Sequence, residues 1–538
     1  MAQGKILNAL IGSSAKARFP AIQGSAWSCN MYYARNGKDE YMESLPGLKV
    51  LSIIDEGVKC RGAYVSTIGL EAIHSTEDMF AVFGSTLYRI GPDGAKTEIG
   101  QVANNGYRVC FAETGGPRAL LLVADGANLF YYDLLDGGGL VPIQLPERIT
   151  SRGGYVTPTH VAVVAGSIVI NDIYSGYCYY SKPYPLANDN RTMIKVDASG
   201  NPVYMPDGVT VVTETLPSKD HVFEDDYHVQ KFFNTESSSD NINGIYAIGP
   251  TLYVFGPKTV EIWQRGSGEF EDWIRTSYTA QNSFGLEAPN SLASSGSVLY
   301  FVASGAQYGK AVMMVEGSSF KKVSEDWLEN KLIQESTESA YGFCYSVGEH
   351  NFFVLQMPSI GETWVYDTLD GGWHQRTSMK GNNGVEDAWR ANAVTYFNEK
   401  FFAFTNDGTV SEFHRDYWQE ELPDGTVQPV VRHRQTGVIM DNGKPFVLEE
   451  VAIECNVGTW RDYSDKPFLM LEVSKDGGMT FGNVRRCSLG RVGEYSNRVR
   501  FLSLGINRKC VQRVTYSHPT ELTLNLCEIR AEATGAMI

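Results

Sequence analysis

Through the middle of the chain, short apolar runs come in pairs separated by Gly- or Asp-Gly-containing turns. Seven pairs stand out: Met79–Gly91, Ala119–Asp133, Ser167–Lys182, Leu252–Gln264, Val298–Gly317, Asn351–Asp367 and Lys400–His414. Runs this short are too brief for helices but fit two antiparallel strands, so each pair reads as a β-hairpin. Most successive hairpins begin roughly 40 to 55 residues apart, the period of propeller blades. Tyr132-Asp133-Leu134-Leu135-Asp136-Gly137-Gly138 returns almost residue for residue as Tyr366-Asp367-Thr368-Leu369-Asp370-Gly371-Gly372. In such a turn the Asp accepts nearby amides and a Gly takes positive φ. The pattern predicts an all-β chain built on a β-propeller of about six or seven blades.

The interval between the third and fourth hairpins is about double the others. It holds a polar stretch over 183–243, with Asn188-Asp189-Asn190 and Glu224-Asp225-Asp226, read as an inserted loop or subdomain on the surface. Helix is scarce. The best candidate spans Ser324–Ile333, with Ser324 as cap, Glu325 and Asp326 in the first turn, and Leu328 and Leu332 one turn apart. Beyond about residue 440 the blade rhythm stops, and alternation in Pro467–Ser474 and Asn497–Leu504 predicts a C-terminal β-sandwich-like domain. The expected division is 1–60 leading into the propeller, 61–182 first blades, 183–243 insertion, 244–440 remaining blades and 441–538 sandwich.

Composition narrows the function. Hydrophobic residues make up 43% and charged residues 20% of the 538, which excludes a disordered chain. A formal net charge of −16 argues against a protein that grips DNA through its phosphates. The nine cysteines are scattered, with no CxxC, and read as reduced thiols of a protein assembled in the cytoplasm. Lys5, Ile6–Ile11 and Ala15-Lys16-Ala17 imitate a signal peptide, but Asn8 interrupts the apolar run, so secretion is not expected. No apolar stretch is long enough to predict a membrane span.

Ser474-Lys475-Asp476-Gly477-Gly478-Met479-Thr480-Phe481 fits the Asp-box pattern of sialidase propellers. In it Ser474, Asp476, Gly478, Thr480 and Phe481 would lock a hairpin turn without doing chemistry. His414-Arg415-Asp416 matches a kinase catalytic loop only superficially, because Glu421 stands where a metal-binding Asn is needed. His221, Glu224, Asp225, Asp226 and His228 are potential ligands of a divalent cation, read here as a solvated acidic loop. From 480 to 515 the charge reverses: Arg485, Arg486, Arg491, Arg498, Arg500, Arg508, Lys509 and Arg513 face only Glu494. Strand alternation puts Arg498 and Arg500 on one face. Two readings follow, a solvated sheet face or, for Arg485, Arg486, Arg491, Arg498 and Arg500, a docking face for an acidic partner ring or phosphate. No Gly-x-Ser-x-Gly, Walker loop or HExxH is present. No catalytic, metal or cofactor residue is assigned, and the chain is expected not to be an enzyme.

The sequence resembles the packaged-DNA stabilisation, or tail nozzle, proteins of short-tailed phages, through most of its length. Cys29-Asn30-Met31-Tyr32, then Leu45-Pro46-Gly47-Leu48 with Arg61-Gly62, are similar to that family's lead-in to the first blade. Leu252–Trp263 resembles its central hairpin, Phe284–Ala293 the strand into the next blade, and Val323-Ser324 the start of its helix. Leu489-Gly490-Arg491 and Leu504-Gly505-Ile506-Asn507-Arg508 resemble the closing domain. The resemblance implies a virion tail protein, a homo-hexameric ring below a dodecameric head–tail connector (adaptor). Such a ring extends the DNA channel, retains packaged genome, and carries tail fibres, spikes or a needle. Double-stranded DNA would pass its lumen without sequence-specific binding, and the acidic charge would let it slide. The alternative is a glycan-binding or glycan-hydrolysing propeller.

Overall fold

A computed structural model describes residues 5–8, 26–37, 39–66, 78–235, 241–266, 273–278, 284–305, 309–336, 339–380, 384–414, 416–441, 443–457, 466–491, 494 and 496–533. Each of the seven predicted hairpins forms the second and third strands of a four-stranded antiparallel run, so the propeller has seven blades among the described residues. The run stands alone in the first four blades, gains the short strand Ala293–Ser295 in the fifth, and continues into further strands in the sixth and seventh. The second strands explain why the hairpins are legible. Met79–Phe83, Leu120–Ala124 and Ser167–Asn171 are buried at every position. A blade packed between two neighbours buries both faces, so its inner strands read as continuous apolar runs rather than alternation. Seven apolar clusters fill the gaps between successive blades. One joins Val82 of the first blade to Leu121 of the second, and another joins Phe404 of the seventh to Phe83 of the first.

The ring is closed by a strand from far away in sequence. Leu48–Ile53 pairs antiparallel with Thr409–Phe413, with Val410 opposite Ser52 and Glu412 opposite Lys49, and so supplies the fourth strand of blade 7. Ahead of it, Trp27–Cys29 pairs with Arg432–Gln435 and meets Trp373–Gln375 of blade 6 at Cys29 and Gln375. The hairpin Met31–Asn36 and Asp39–Ser44 adds to the sheet of Leu522–Ala533, Phe446–Val457 and Ser496–Asn507. The segment expected only to lead into the propeller therefore belongs half to the sandwich. Arg432–Gln435, expected in the propeller, lies in the second sandwich sheet with Lys509–Tyr516, Phe468–Ser474 and Arg485–Ser488. The two sandwich sheets close over Val451, Ile453, Leu469, Leu471, Val514 and Leu524.

The insertion falls inside a blade. Phe232–Asn234 pairs with Tyr177–Tyr180 as the outer strand of blade 3, so the excursion leaves after the third strand and returns before the fourth. It carries its own hairpin, Asn190–Ile194 with Thr213–Pro217. The helix runs Asp326–Gln334 and buries Leu328 and Leu332. Its cap position is Glu325, not Ser324, and no side chain caps it. The Ser324 hydroxyl instead accepts the Val312 amide at 3.0 Å and donates to Glu329 at 2.9 Å, tying the helix to blade 5. All nine cysteines are free, six of them buried. Lys5–Asn8 pairs with Leu522–Ala533; the rest of the signal-like stretch, and Arg415, lie outside the described residues. Among those residues no helix is long and apolar enough to cross a membrane.

Candidate interaction surfaces

At the turn after Phe468–Ser474, the Asp476 carboxylate accepts the amides of Met479 at 2.9 Å and Thr480 at 3.0 Å, and the Thr480 hydroxyl at 2.6 Å. The Ser474 hydroxyl donates to Asp476 at 2.6 Å and accepts the Gly478 amide at 2.8 Å. These bonds, led by those from Ser474 and Thr480, hold the Asp476 carboxyl well below the usual range. Gly477 and Gly478 take φ of +87° and +98°, which an L side chain adopts only with strain. Phe481 lies half-buried beneath Arg513, whose guanidinium carbon stands 3.9 Å from the ring centroid. Each of these polar atoms shapes the turn.

The arginines do not form one uniform face. Arg498 pairs with Glu454 at 2.9 Å and with Glu528, and Arg500 pairs with Glu450, all across neighbouring strands. Arg513 pairs with Glu472 at 2.9 Å. Arg485 donates to the carbonyls of Leu502 at 2.6 Å and Ser503 at 3.1 Å. Arg486 stacks over Phe468, and the Arg491 amide donates to Glu494. The glutamates come from strands distant in sequence, which is why the 480–515 window looks unbalanced when read alone. Arg498 and Arg500 share one exposed sheet face, as alternation predicts, with Leu502 beside them half-exposed.

Two features are not marked by any sequence motif. The propeller axis holds a cavity of about 300 Å³ to which every blade contributes, through Gly62, Cys110, His160, Tyr246, Ser294, Cys344 and Val394. That is the scale of a small-molecule pocket rather than of a channel for double-stranded DNA. At the end of the insertion, an Asp207-Gly208 turn presents Tyr204, Met205 and Val209 to solvent, with Val209 81% exposed. The apolar signal was there in Val209-Thr210-Val211-Val212, but polar neighbours masked it.

The fold is a closed propeller joined to a β-sandwich, with the arginines and the Asp476 turn engaged in cross-strand pairs and turn hydrogen bonds. Residues 33–417 match the family model described as Bacteriophage P22 Gp10, beta-propeller, and residues 432–532 the one described as Bacteriophage P22 Gp10, beta-sandwich. The chain belongs to this family of phage structural proteins that stabilise packaged DNA, and is a virion component. Comparison with the curated proteins finds no match. Among solved structures, virginiamycin B lyase from Staphylococcus aureus is similar at 8% identity and a TM-score of 0.39, over 68% of this chain and 98% of that one. The gluconolactonase XC5397 from Xanthomonas campestris is similar at 11% identity and a TM-score of 0.32, over 77% and 98%. BamB from Moraxella catarrhalis is similar at 12% identity and a TM-score of 0.30, over 77% and 91%. Likenesses this distant carry no functional argument.

Proposed function

We propose that the chain is the subunit of a homo-hexameric tail nozzle that docks beneath the dodecameric head–tail connector. The ring extends the DNA channel, retains the packaged genome, and anchors tail fibres, spikes or a needle. The observation that carries this reading is the match to the packaged-DNA stabilisation family through both domains. The narrow axial cavity supports a lumen formed between subunits rather than through a propeller. The net charge of −16 supports a channel that repels phosphate and lets DNA slide. Free, mostly buried thiols suit assembly in the reducing host cytoplasm.

Negative-stain imaging of the purified chain, alone and mixed with its virion's connector, tests the proposal. Six-fold rings capping the connector support it. Monomers that ignore the connector overturn it and direct attention to binding or hydrolysis of host glycans.

A further inference from the structure

The insertion of blade 3 brings two imidazoles and a carboxylate together. His221 Nδ1 lies 2.9 Å from Glu224 Oε2, and His228 Nδ1 lies 3.5 Å from the same oxygen. One donor atom from each of the three residues falls within 4.8 Å of the other two. The two rings meet edge to face at 5.3 Å. The three side chains are at least three-quarters buried, with exposures of 20%, 25% and 21%, yet remain open enough for an ion to enter.

The surrounding charges are sorted so that Glu224 is left to the imidazoles. Arg191 pairs with Asp226 at 2.6 Å, and Lys182 lies 3.4 Å from the same carboxylate. Lys231 pairs with Asp225 at 2.9 Å. Arg191 also donates to the carbonyl oxygens of His221 at 2.7 Å and Glu224 at 3.3 Å, which fixes the loop's course. Among the described residues no Lys or Arg pairs with Glu224, only His221 and His228.

The far side of the His228 ring sets its tautomer. Nε2 lies 3.1 Å from the Ile194 carbonyl oxygen, which can only accept, so Nε2 carries the proton and donates. In the neutral ring, Nδ1 then turns a lone pair toward a carboxylate oxygen. Two such acceptors facing each other at 3.5 Å are bridged either by a proton on Nδ1 or by a bound cation, and Nε2 also lies 4.0 Å from Glu214. A histidine whose outer nitrogen donates to a backbone carbonyl while its inner nitrogen faces other donors is the arrangement of metal-ligating histidines. His228 is held there at φ +62°, in the left-handed region that few non-glycine residues occupy. The Asp225 carboxylate enforces the turn by accepting the amides of Tyr227 at 2.8 Å and Val229 at 3.0 Å.

We propose that His221, Glu224 and His228 bind a divalent first-row transition ion of the zinc type, with a fourth position open to water. Ligands at zinc distances lie roughly 3.3 Å apart around a tetrahedron, and the observed 2.9 and 3.5 Å bracket that separation. Two imidazoles favour zinc over magnesium or calcium, which take oxygen. Through the bond to Ile194 the ion clamps the 221–228 loop to the insertion's own hairpin, and so stiffens the part of the chain that carries Tyr204, Met205 and Val209.

The test compares the chelator-stripped full chain with its Glu224→Gln and His228→Asn variants. Asn tolerates a left-handed backbone, and circular dichroism verifies that each variant is folded. Dialysis against Zn²⁺ followed by elemental analysis should find one more zinc per wild-type chain than per variant, undisplaced by a hundredfold excess of Mg²⁺. The difference matters because the nine thiols are themselves zinc ligands. Co²⁺ should give the intense visible bands of a tetrahedral site in the wild type only. Equal zinc content in all three proteins, or a Co²⁺ spectrum indifferent to Glu224→Gln, overturns the proposal and leaves an imidazolium–carboxylate network in its place.

Discussion

The side chain of Asn30 reads the backbone of Thr377 as a neighbouring strand would. Its Oδ1 accepts the Thr377 amide at 3.1 Å, and its Nδ2 donates to the Thr377 carbonyl oxygen at 3.3 Å and hydroxyl at 3.1 Å. The same Nδ2 donates to the Val431 carbonyl at 2.7 Å, on the connection into the sandwich. Asn30 is buried, and its φ of 54° lies in the left-handed region. One residue thus joins the N-terminal segment, the end of blade 6 and the sandwich. Replacing it with Ala leaves several buried polar groups unpaired and keeps the strained backbone, at a cost of about 2–4 kcal/mol. Asn30→Gly relieves the strain and should cost less. Chemical denaturation of both variants checks the order; equal stability to wild type would remove Asn30 as the joint.

The turn at Asp476 makes a local prediction. Gly478 is buried at φ +98°, so Gly478→Val forces a β-branched residue into a conformation it avoids, at about 2–3 kcal/mol. Thermal unfolding should show the sandwich melting earlier, and an unchanged melt contradicts the turn assignment. Asp476→Asn weakens the same turn with a pH signature. A carboxyl held low in the folded chain stabilises it above the unfolded value near 3.9 and loses that contribution as pH falls below it. The two proteins should therefore differ most near neutrality and converge in acid.

The sequence was legible where neighbours along the chain decide the structure. The hairpins are local, and the Asp133 and Asp367 turns are equivalent: each accepts the amide two residues on, from Leu135 and Leu369, before a Gly at φ +72° or +75°. What could not be read are pairings set by the ring's closure. Nothing near Leu48 announces that it lies opposite Phe413, nor does Phe232 reveal itself as the return of blade 3. The family-like glycines are a middle case. A Cβ at Gly47 would lie 1.8 Å from the Gln419 carbonyl oxygen and one at Gly285 2.2 Å from that of Gly256, so these positions serve close backbone approach rather than a turn. The arginine-rich window looks unbalanced in sequence for the same reason, since its glutamate partners lie on other strands.

Those cross-strand pairs let the arginine face be tested apart from the fold. Exposed ion pairs contribute little to stability, so Arg498→Gln with Arg500→Gln should leave the melting temperature nearly unchanged. If the face docks on an acidic ring, the double variant should fail to cap the connector in negative stain, and wild-type capping should weaken as salt rises. Unaltered capping by the variant reduces the face to a solvated sheet surface.

Acid should open the propeller before it opens the sandwich. His160 is buried beside the axial cavity, where its Nε2 contacts the Pro289 carbonyl oxygen at 3.3 Å and its Nδ1 the Thr159 hydroxyl at 3.0 Å. Burial holds its pKa down to about 4, against a weaker opposing pull from Pro289. His374, buried and edge-on to Phe352, is held down to about 3 by burial first and the charge of Arg376 second. Between these values and the unfolded value near 6.5, the unfolded chain binds more protons than the folded one. Stability therefore rises with pH through that window and falls as pH drops from about 6.5 toward 4, by about 3 kcal/mol at most for His160. His160→Gln can keep a bond to Pro289 and cannot titrate. It should flatten the decline in propeller stability measured by denaturation from pH 7 to pH 4, while the wild type shows the full slope. Parallel slopes in the two proteins would mean that His160 does not set the acid limit.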